Sequence, residues 1–327
     1  MFTLFSKYFI LTNLLLSSIL PLFSTDLLMI WFFMEINNFL FIFILNFSIK
    51  NKKMIFFYFF IQTIISFLII YSLILNNLFM YSNISNFFMI SAMMMKLGIP
   101  PFHLWLTLIS KFMTWHSLLL LLTMMKIIPF YMISLIKLNL ILIYSIIFLC
   151  SILPPYLMLN LTNFKVLLSY SSINQSGWMM FLIYFKIFIW FKYFMFYTLI
   201  SLGLFNMIFY FKMFFHNNFL SYNYYQTYLN FLPLIFMFNM AGLPPFSFFL
   251  MKWYSIFLFS YSSNYLIILI MLMLSSLIML YIYTNMMISS IFFFQFKSKL
   301  NNFKFFINNP KTTLIFSILF MSSILFL

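Results

Sequence analysis

The stretch MMMKLGIPPFHLW, residues 93–105, decides the fold of the chain. It sets a lysine, a glycine and two prolines in an otherwise apolar run. In water this combination would form a turn, but inside a membrane it breaks a helix beside a buried cation. Both features are costly in a bilayer, so the stretch is a candidate functional site.

The composition of the chain is that of a membrane protein. The 327 residues are 66% hydrophobic and 6% charged, with a mean hydropathy of +1.11, whereas soluble domains carry about 25% charged residues. The apolar runs are about 20 residues long and do not alternate with a period of two, which favours helices over a β-barrel. We predict an all-α integral membrane protein with about eleven transmembrane helices.

The charged residues exclude several classes of function. All 17 basic residues are lysine, only Asp26 and Glu35 are acidic, and the net charge is +15. Without arginine patches or a soluble domain, the positive charge does not indicate a nucleic-acid partner. The single cysteine, Cys150, excludes a disulfide within the chain, and the three scattered histidines do not indicate a metal site.

The amino-acid usage indicates an organellar gene. Residues with A/T-rich codons, such as Phe, Ile, Asn and Lys, are abundant, whereas Ala, Val and Gly are scarce and Arg is absent. The 28 methionines fit a genetic code with a second methionine codon. We predict a mitochondrial product without a presequence, whose first apolar run is a retained helix.

Eleven apolar spans of about 20 residues can be assigned. Of the 17 lysines, eleven fall in loops on the side of the N-terminus and three on the opposite side. The asymmetry predicts an N-terminus in the matrix and a C-terminus in the intermembrane space. The spans are 3–24, 26–46, 54–75, 84–110, 114–136, 138–159, 163–184, 188–211, 228–258, 264–294 and 312–327.

A weak internal repeat relates two of these spans. The pattern Gly-x-Pro-Pro-Phe occurs at 98–102 in the fourth span and at 242–246 in the ninth. Because the two spans are five apart, they run antiparallel, as an inverted repeat requires. Two unrelated proline kinks remain the alternative.

The repeat divides the single membrane domain into three parts. We predict a first repeat over 1–137, with its helix broken near 97–101, and a second over 138–294, with its helix broken near 242–245. Residues 295–327 would then form a loop and a last helix.

Four charged residues lie deep inside the predicted spans, away from their ends: Glu35, Lys96, Lys126 and Lys252. Each costs about 2.5–3.5 kcal/mol on insertion scales, which indicates a function. Asn38 lies three residues after Glu35 and shares its helix face. An ion pair of Glu35 with Lys96 remains a purely structural alternative, but no carboxylate is left within the spans for the other two lysines.

The first break has a physical cause in its prolines. Pro100 and Pro101 lack amide hydrogens and clash with the carbonyls of Lys96 and Leu97, while Gly98 lets the backbone turn. Freed carbonyls must be met by water or polar groups. A buried lysine beside unwound backbone and water is a predicted proton station.

The second break has the same elements. Gly242, Pro244 and Pro245 interrupt the ninth span, and Lys252 follows about two turns later. We therefore predict a lateral row of proton carriers that runs from Glu35 through the lysines of the two breaks, with Lys126 between them.

Two histidines could assist the row. His103 lies in the second half of the first broken helix and could bridge lysines through water. His116 begins the fifth span. A hydrogen-bonded structural role remains the alternative for each.

Three groups of motifs resemble a known family: residues 95–105, then 171–173 with 177–178, then 241–246 with 252–253. They resemble the antiporter-like membrane subunits of respiratory complex I, the NADH–ubiquinone oxidoreductase. This family is similar to Mrp-type cation/proton antiporters, and the composition resembles that of arthropod members.

The resemblance implies a role for each buried charge. Glu35 would partner Lys96 at the first broken helix, Lys126 would be the central lysine, and Lys252 would serve the second broken helix. Many relatives carry a histidine where this chain has Gln175. Glutamine cannot take up a proton near neutral pH, so here it would only orient water.

The resemblance also implies the setting. The chain would be a subunit of a proton-translocating NADH:ubiquinone reductase in the mitochondrial inner membrane, with no cofactor or redox centre of its own. NADH, FMN, iron–sulfur clusters and ubiquinone would bind to other subunits. Chains 4 and 4L of the complex and phospholipids would be its neighbours. A stand-alone cation/proton antiporter and a non-pumping scaffold remain alternatives.

Overall fold

The computed structural model describes residues 2–49, 51–79, 82–136, 139–185, 189–211, 231–244, 246–259 and 266–298. Within these ranges the chain forms thirteen α-helices, one short 3-10 helix and no strand. The all-α prediction is therefore confirmed for the part of the chain that the structure describes.

Most of the described helices are separated by only a few residues. The 3-10 helix, Leu20–Phe23, extends the first of them. The helices are α1 (Phe2–Ile19), α2 (Leu27–Ser48), α3 (Lys52–Phe79), α4 (Ser82–Leu97), α5 (Leu104–Phe112), α6 (Trp115–Leu122), α7 (Met124–Leu135), α8 (Leu140–Met158), α9 (Phe164–Tyr184), α10 (Ile189–Phe211), α11 (Phe231–Ala241), α12 (Ser247–Phe259) and α13 (Leu266–Ser298).

These elements overlap the first ten predicted spans, and the eleventh, 312–327, lies outside the described residues. Within the described residues, six helical segments are long and apolar enough to cross a membrane, by length and composition. The membrane assignment is supported, while the count of eleven spans and the inverted repeat stay predictions. The six segments are Ser6–Phe23, Leu27–Ser48, Lys52–Asn77, Trp115–Leu135, Leu140–Met158 and Leu266–Met286.

Helix α2 illustrates how the apolar sequence folds. Its buried residues are spaced three or four apart, so they form one face of the helix. Large apolar residues on its other face, such as Phe32, Phe39 and Phe43, are about half exposed. An exposed apolar face of this kind suits a helix in contact with lipid or another membrane subunit.

The chain divides into two compact units. Unit 1 comprises Met1–Pro154 and Lys165–Ile187, and within it α7 contacts α1, α2, α4 and α6. Unit 2 comprises Pro155–Phe164 and Phe188–Leu327, and within it α11 contacts α10, α12 and α13. Helix α9 thus belongs to unit 1, and the predicted division into repeats stays a prediction.

The fifth predicted span contains a break that the sequence reading missed. Helix α6 ends at Leu122 and α7 begins at Met124. Between them, the Thr123 hydroxyl donates to the carbonyl of Leu119 at 2.7 Å, and the Thr123 amide donates to the same carbonyl at 3.0 Å. A threonine that bonds back to its own helix bends it, so the bend lies just before Lys126.

Candidate functional site

The first broken helix ends in a regular cap. Gly98 has φ 66°, its amide donates to Met95 O at 3.2 Å, and the amide of Ile99 donates to Met94 O at 3.0 Å. These two bonds form a Schellman motif, in which the residue with positive φ is usually glycine. The break predicted near 97–101 is therefore confirmed, with Gly98 as its C-terminal cap.

The second broken helix repeats this cap. Gly242 has φ 82°, its amide donates to Asn239 O at 3.0 Å, and the amide of Leu243 donates to Phe238 O at 3.2 Å. Each of these positions lies 144 residues after its counterpart in the first break. The break predicted near 242–245 is confirmed as far as Pro244, while Pro245 lies outside the described residues.

A side chain ties the two halves of each broken helix together. In the first, Trp105 Nε1 donates to the carbonyl of Met95 at 2.8 Å. In the second, Asn239 Oδ1 accepts from the backbone amide of Phe248 at 3.2 Å. Met95 and Asn239 are equivalent positions in the two motifs, so both breaks are braced at the same point.

Lys96 lies in the last turn of α4 and is only 8% exposed. Its Nζ lies 3.9 Å from Glu35 Oε1, within ion-pair range. Asn38 Nδ2 donates to the same carboxylate oxygen at 3.2 Å. The structure therefore brings together Glu35, Asn38 and Lys96, as the sequence analysis expected.

Lys126 lies in the first turn of α7 and is 3% exposed. Its Nζ donates to the carbonyl oxygen of Ser172 at 3.2 Å and to the Ser172 hydroxyl at 3.1 Å. Ser172 belongs to a polar run of α9, 169–176, whose residues are all buried. The run thus faces protein, and Ser172 is a lysine partner that the sequence reading did not single out.

A small cavity of about 10 Å³, with room for about one water molecule, is lined by both lysines of unit 1. Apolar side chains of α4 to α7 form the rest of its wall. Its size and polar rim suit water. Its polar and aromatic lining includes Asn38, Tyr58, Gln62, Lys96, Trp105 and Lys126.

Lys252 is 4% exposed and reaches back to the second break. Although it lies in α12, its Nζ is 3.5 Å from the carbonyl oxygen of Ala241, the last residue of α11. The same Nζ lies 5.2 Å from the ring centroid of Phe248. A Cβ added at Gly242 would lie 3.0 Å from this Nζ, so glycine here also makes room for the lysine.

The supporting residues differ in their surroundings. His103 is buried beside Tyr170, with 6.0 Å between the ring centroids. Gln175 is buried in α9, whereas His116 is exposed at the start of α6. Among the described residues, no three metal-ligating side chains come together.

Two further residues were missed because their types are common in membrane helices. Thr123 and Gln62 carry no charge and stand in unremarkable apolar runs. Only the structure reveals that Thr123 bends the helix before Lys126 and that Gln62 lines the cavity.

Broken helices, buried lysines and lipid-compatible faces together define a membrane antiporter-like protein. A family model described as NADH:quinone oxidoreductase/Mrp antiporter, transmembrane, matches residues 24–278. One chain of respiratory complex I from Thermus thermophilus has a similar fold. Its TM-score is 0.72 at 16% identity, over 86% of this chain and 69% of that one.

Two named relatives refine this assignment. NADH-ubiquinone oxidoreductase chain 2 of Rhipicephalus sanguineus is 32% identical over 93% of this chain and 94% of its own length. Its counterpart in Locusta migratoria is 30% identical over 87% of this chain and 85% of its own length. The chain belongs to the NADH-ubiquinone oxidoreductase chain 2 family, which confirms the resemblance in the sequence.

Proposed function

We propose that this chain contributes to proton translocation as an antiporter-like core subunit of respiratory complex I. The whole complex transfers electrons from NADH to ubiquinone, and that reaction supplies the free energy. The chain is one part of a multi-subunit enzyme and a multi-pass protein of the mitochondrial inner membrane.

The cavity between Lys96 and Lys126 carries this proposal. It joins two buried amines, each of which can hold or release one proton, through a space that suits water. Glu35 lies within ion-pair range of Lys96, at 3.9 Å, and Ser172 of α9 accepts a hydrogen bond from Lys126. Buried ionisable groups in a membrane are expensive and typically mark proton relays.

The relay works through the charge of its members. A change in the charge of Glu35 shifts the protonation equilibrium of Lys96. Lys96 then takes up a proton or releases one toward Lys126. Lys126 in turn exchanges protons with Lys252 along the membrane midplane. His103 and Gln175 assist by binding or orienting water.

Membership of the family supports the remaining parts of this proposal. The chain has no redox centre and binds no cofactor, while other subunits bind NADH, FMN, iron–sulfur clusters and ubiquinone. Chains 4 and 4L of the complex and phospholipids contact its outer faces. Its N-terminus faces the matrix and its C-terminus the intermembrane space.

The test replaces the central lysine. Lys126→Met keeps the length and the apolar part of the side chain but removes the proton carrier. In vesicles reconstituted with the complex, we expect fewer protons pumped per NADH oxidised. Lys111→Met is the control, because Lys111 is exposed at the end of α5.

Two outcomes would contradict the proposal. An unchanged number of protons per NADH in an intact Lys126→Met complex would exclude the relay. If replacing both Lys126 and Lys252 impairs assembly but leaves pumping by the assembled complex unchanged, the chain is a scaffold. Sodium-dependent transport by the purified chain alone would instead identify a stand-alone antiporter.

A further inference from the structure

Three buried polar atoms on side chains that line the cavity have no hydrogen-bond partner among the described residues: Asn38 Oδ1, Gln62 Oε1 and Lys96 Nζ. Asn38 and Gln62 are each 3% exposed, and Lys96 is 8% exposed. They come from three different helices, α2, α3 and α4. Three such atoms around one cavity indicate a shared ligand.

Leaving these atoms without hydrogen bonds costs free energy of folding. A buried donor or acceptor without a partner costs about 1–3 kcal/mol, and more when it is charged. The two orphaned amide oxygens are acceptors and the lysine is a donor. A ligand for this site must therefore both donate and accept hydrogen bonds, and it must be small and uncharged.

Water satisfies every one of these demands. A water molecule can donate to the two amide oxygens and accept from the ammonium of Lys96, and buried waters typically make about three hydrogen bonds. The cavity, of about 10 Å³, has room for about one water molecule. The apolar remainder of its wall, including Leu97, Leu106 and Leu121, offers water no competing partner.

We propose that Asn38 and Gln62 bind ordered water in this cavity, and that Gln62 is a positioning residue for Lys96. This inference rests on the proposed function. Asn38 also donates to Glu35, so it holds the carboxylate with its amide nitrogen and the water with its oxygen. Gln62 contributes the second acceptor and thereby holds the water that faces Lys96.

The role of Gln62 is to fix the direction of the water. An amide oxygen accepts hydrogen bonds but neither gives nor takes a proton at physiological pH. Water that donates to both amides turns its lone pairs away from them, toward Lys96 and the rest of the cavity, where Lys126 lies. The proton itself moves only among the carboxylate, the water and the lysines, so atoms and charges balance.

The first experiment compares two variants of Gln62 in the reconstituted complex. Gln62→Met preserves length without the acceptor, and we expect NADH-driven proton pumping to slow about ten-fold, as the loss of a hydrogen bond to water implies. Gln62→Asn keeps a neutral amide acceptor and should restore part of the pumping that Gln62→Met loses. Ser66→Ala is the control on the same helix, because its hydroxyl bonds only to Thr63 O.

Equal pumping by wild type and Gln62→Met would overturn the inference, as would an equal loss in Gln62→Met and Gln62→Asn. If Gln62→Met fails to assemble, a high-resolution map of the wild-type complex decides the question. Water density within hydrogen-bond distance of Gln62 Oε1 supports the site, and a dry cavity overturns it. The map separates this inference from the relay, because water can be present even where Lys126→Met leaves pumping unchanged.

Discussion

The ammonium of Lys252 lies 3.5 Å from the carbonyl oxygen of Ala241, across the second helix break. The two residues are eleven positions apart and belong to different half-helices. Lys252 thus returns to the interrupted backbone instead of pointing away along α12. The first break differs, since Lys96 belongs to the half-helix that the glycine ends.

This relationship predicts a large effect at Gly242. Gly242→Ala forces an L-residue into φ 82° and places a Cβ 3.0 Å from Lys252 Nζ. We expect a loss of about 1–2 kcal/mol of stability from the backbone alone. Thermal unfolding of the purified complex checks this, with Ser255→Ala as control, because the Ser255 hydroxyl bonds within its own helix. An unshifted melting temperature for Gly242→Ala would contradict the prediction.

The partner of Lys126 gives a second prediction. Ser172→Ala removes the hydroxyl that accepts from Lys126 but leaves the carbonyl oxygen of Ser172 in place. A hydrogen bond to a charged group is worth about 1.5–3 kcal/mol, and part of that remains, so we expect proton pumping to slow about three- to ten-fold. Ser171→Ala is the matched control, since its hydroxyl bonds to Leu168 O. Equal pumping rates in the two variants would exclude a specific role for Ser172.

The two acidic residues of the chain provide a third test. Glu35→Gln removes the only carboxylate near Lys96 and leaves that ammonium buried without its counter-charge. Removing one partner of a buried pair is strongly unfavourable, so we expect NADH-driven pumping to fall by about ten-fold or more. Asp26→Asn removes an equal charge at the exposed start of α2. If both variants pump alike, the position of Glu35 has no special importance.

A fourth prediction concerns stability at the end of α5. Lys165 Nζ donates to the carbonyl of Met113 at 2.6 Å and lies 5.3 Å from the ring centroid of Trp115. Lys165→Met loses both contacts, and we expect a loss of about 1–3 kcal/mol. Lys111→Met, at an exposed site nearby, should leave thermal unfolding unchanged. Identical melting curves for the two variants would contradict the role of Lys165.

The sequence was sufficient for the features that follow from unusual residues. Glycine and proline mark both breaks, because few other residues turn or interrupt a membrane helix, and isolated charges mark the buried lysines. The structure accordingly has Gly98 and Gly242 at positive φ and Lys96 beside Glu35.

The missed features depend on contacts that are not visible in sequence. Thr123 breaks the fifth span through a bond to its own helix, which many membrane threonines make without a break. Ser172 meets Lys126 only in the folded chain, because the two residues are 46 positions apart. Gln62 gains importance from a cavity formed by several helices. Such long-range contacts require the folded chain.

The different bracing of the two breaks has a mechanical consequence. Trp105 holds the first break with a neutral side chain, so the charge on Lys96 can change while that joint stays rigid. The second joint is held by Asn239 and also by Lys252, whose hydrogen bond is stronger when the amine is charged. Loss of a proton from Lys252 would therefore weaken the contact between α11 and α12, so the proposed proton movement would change how the second broken helix is held.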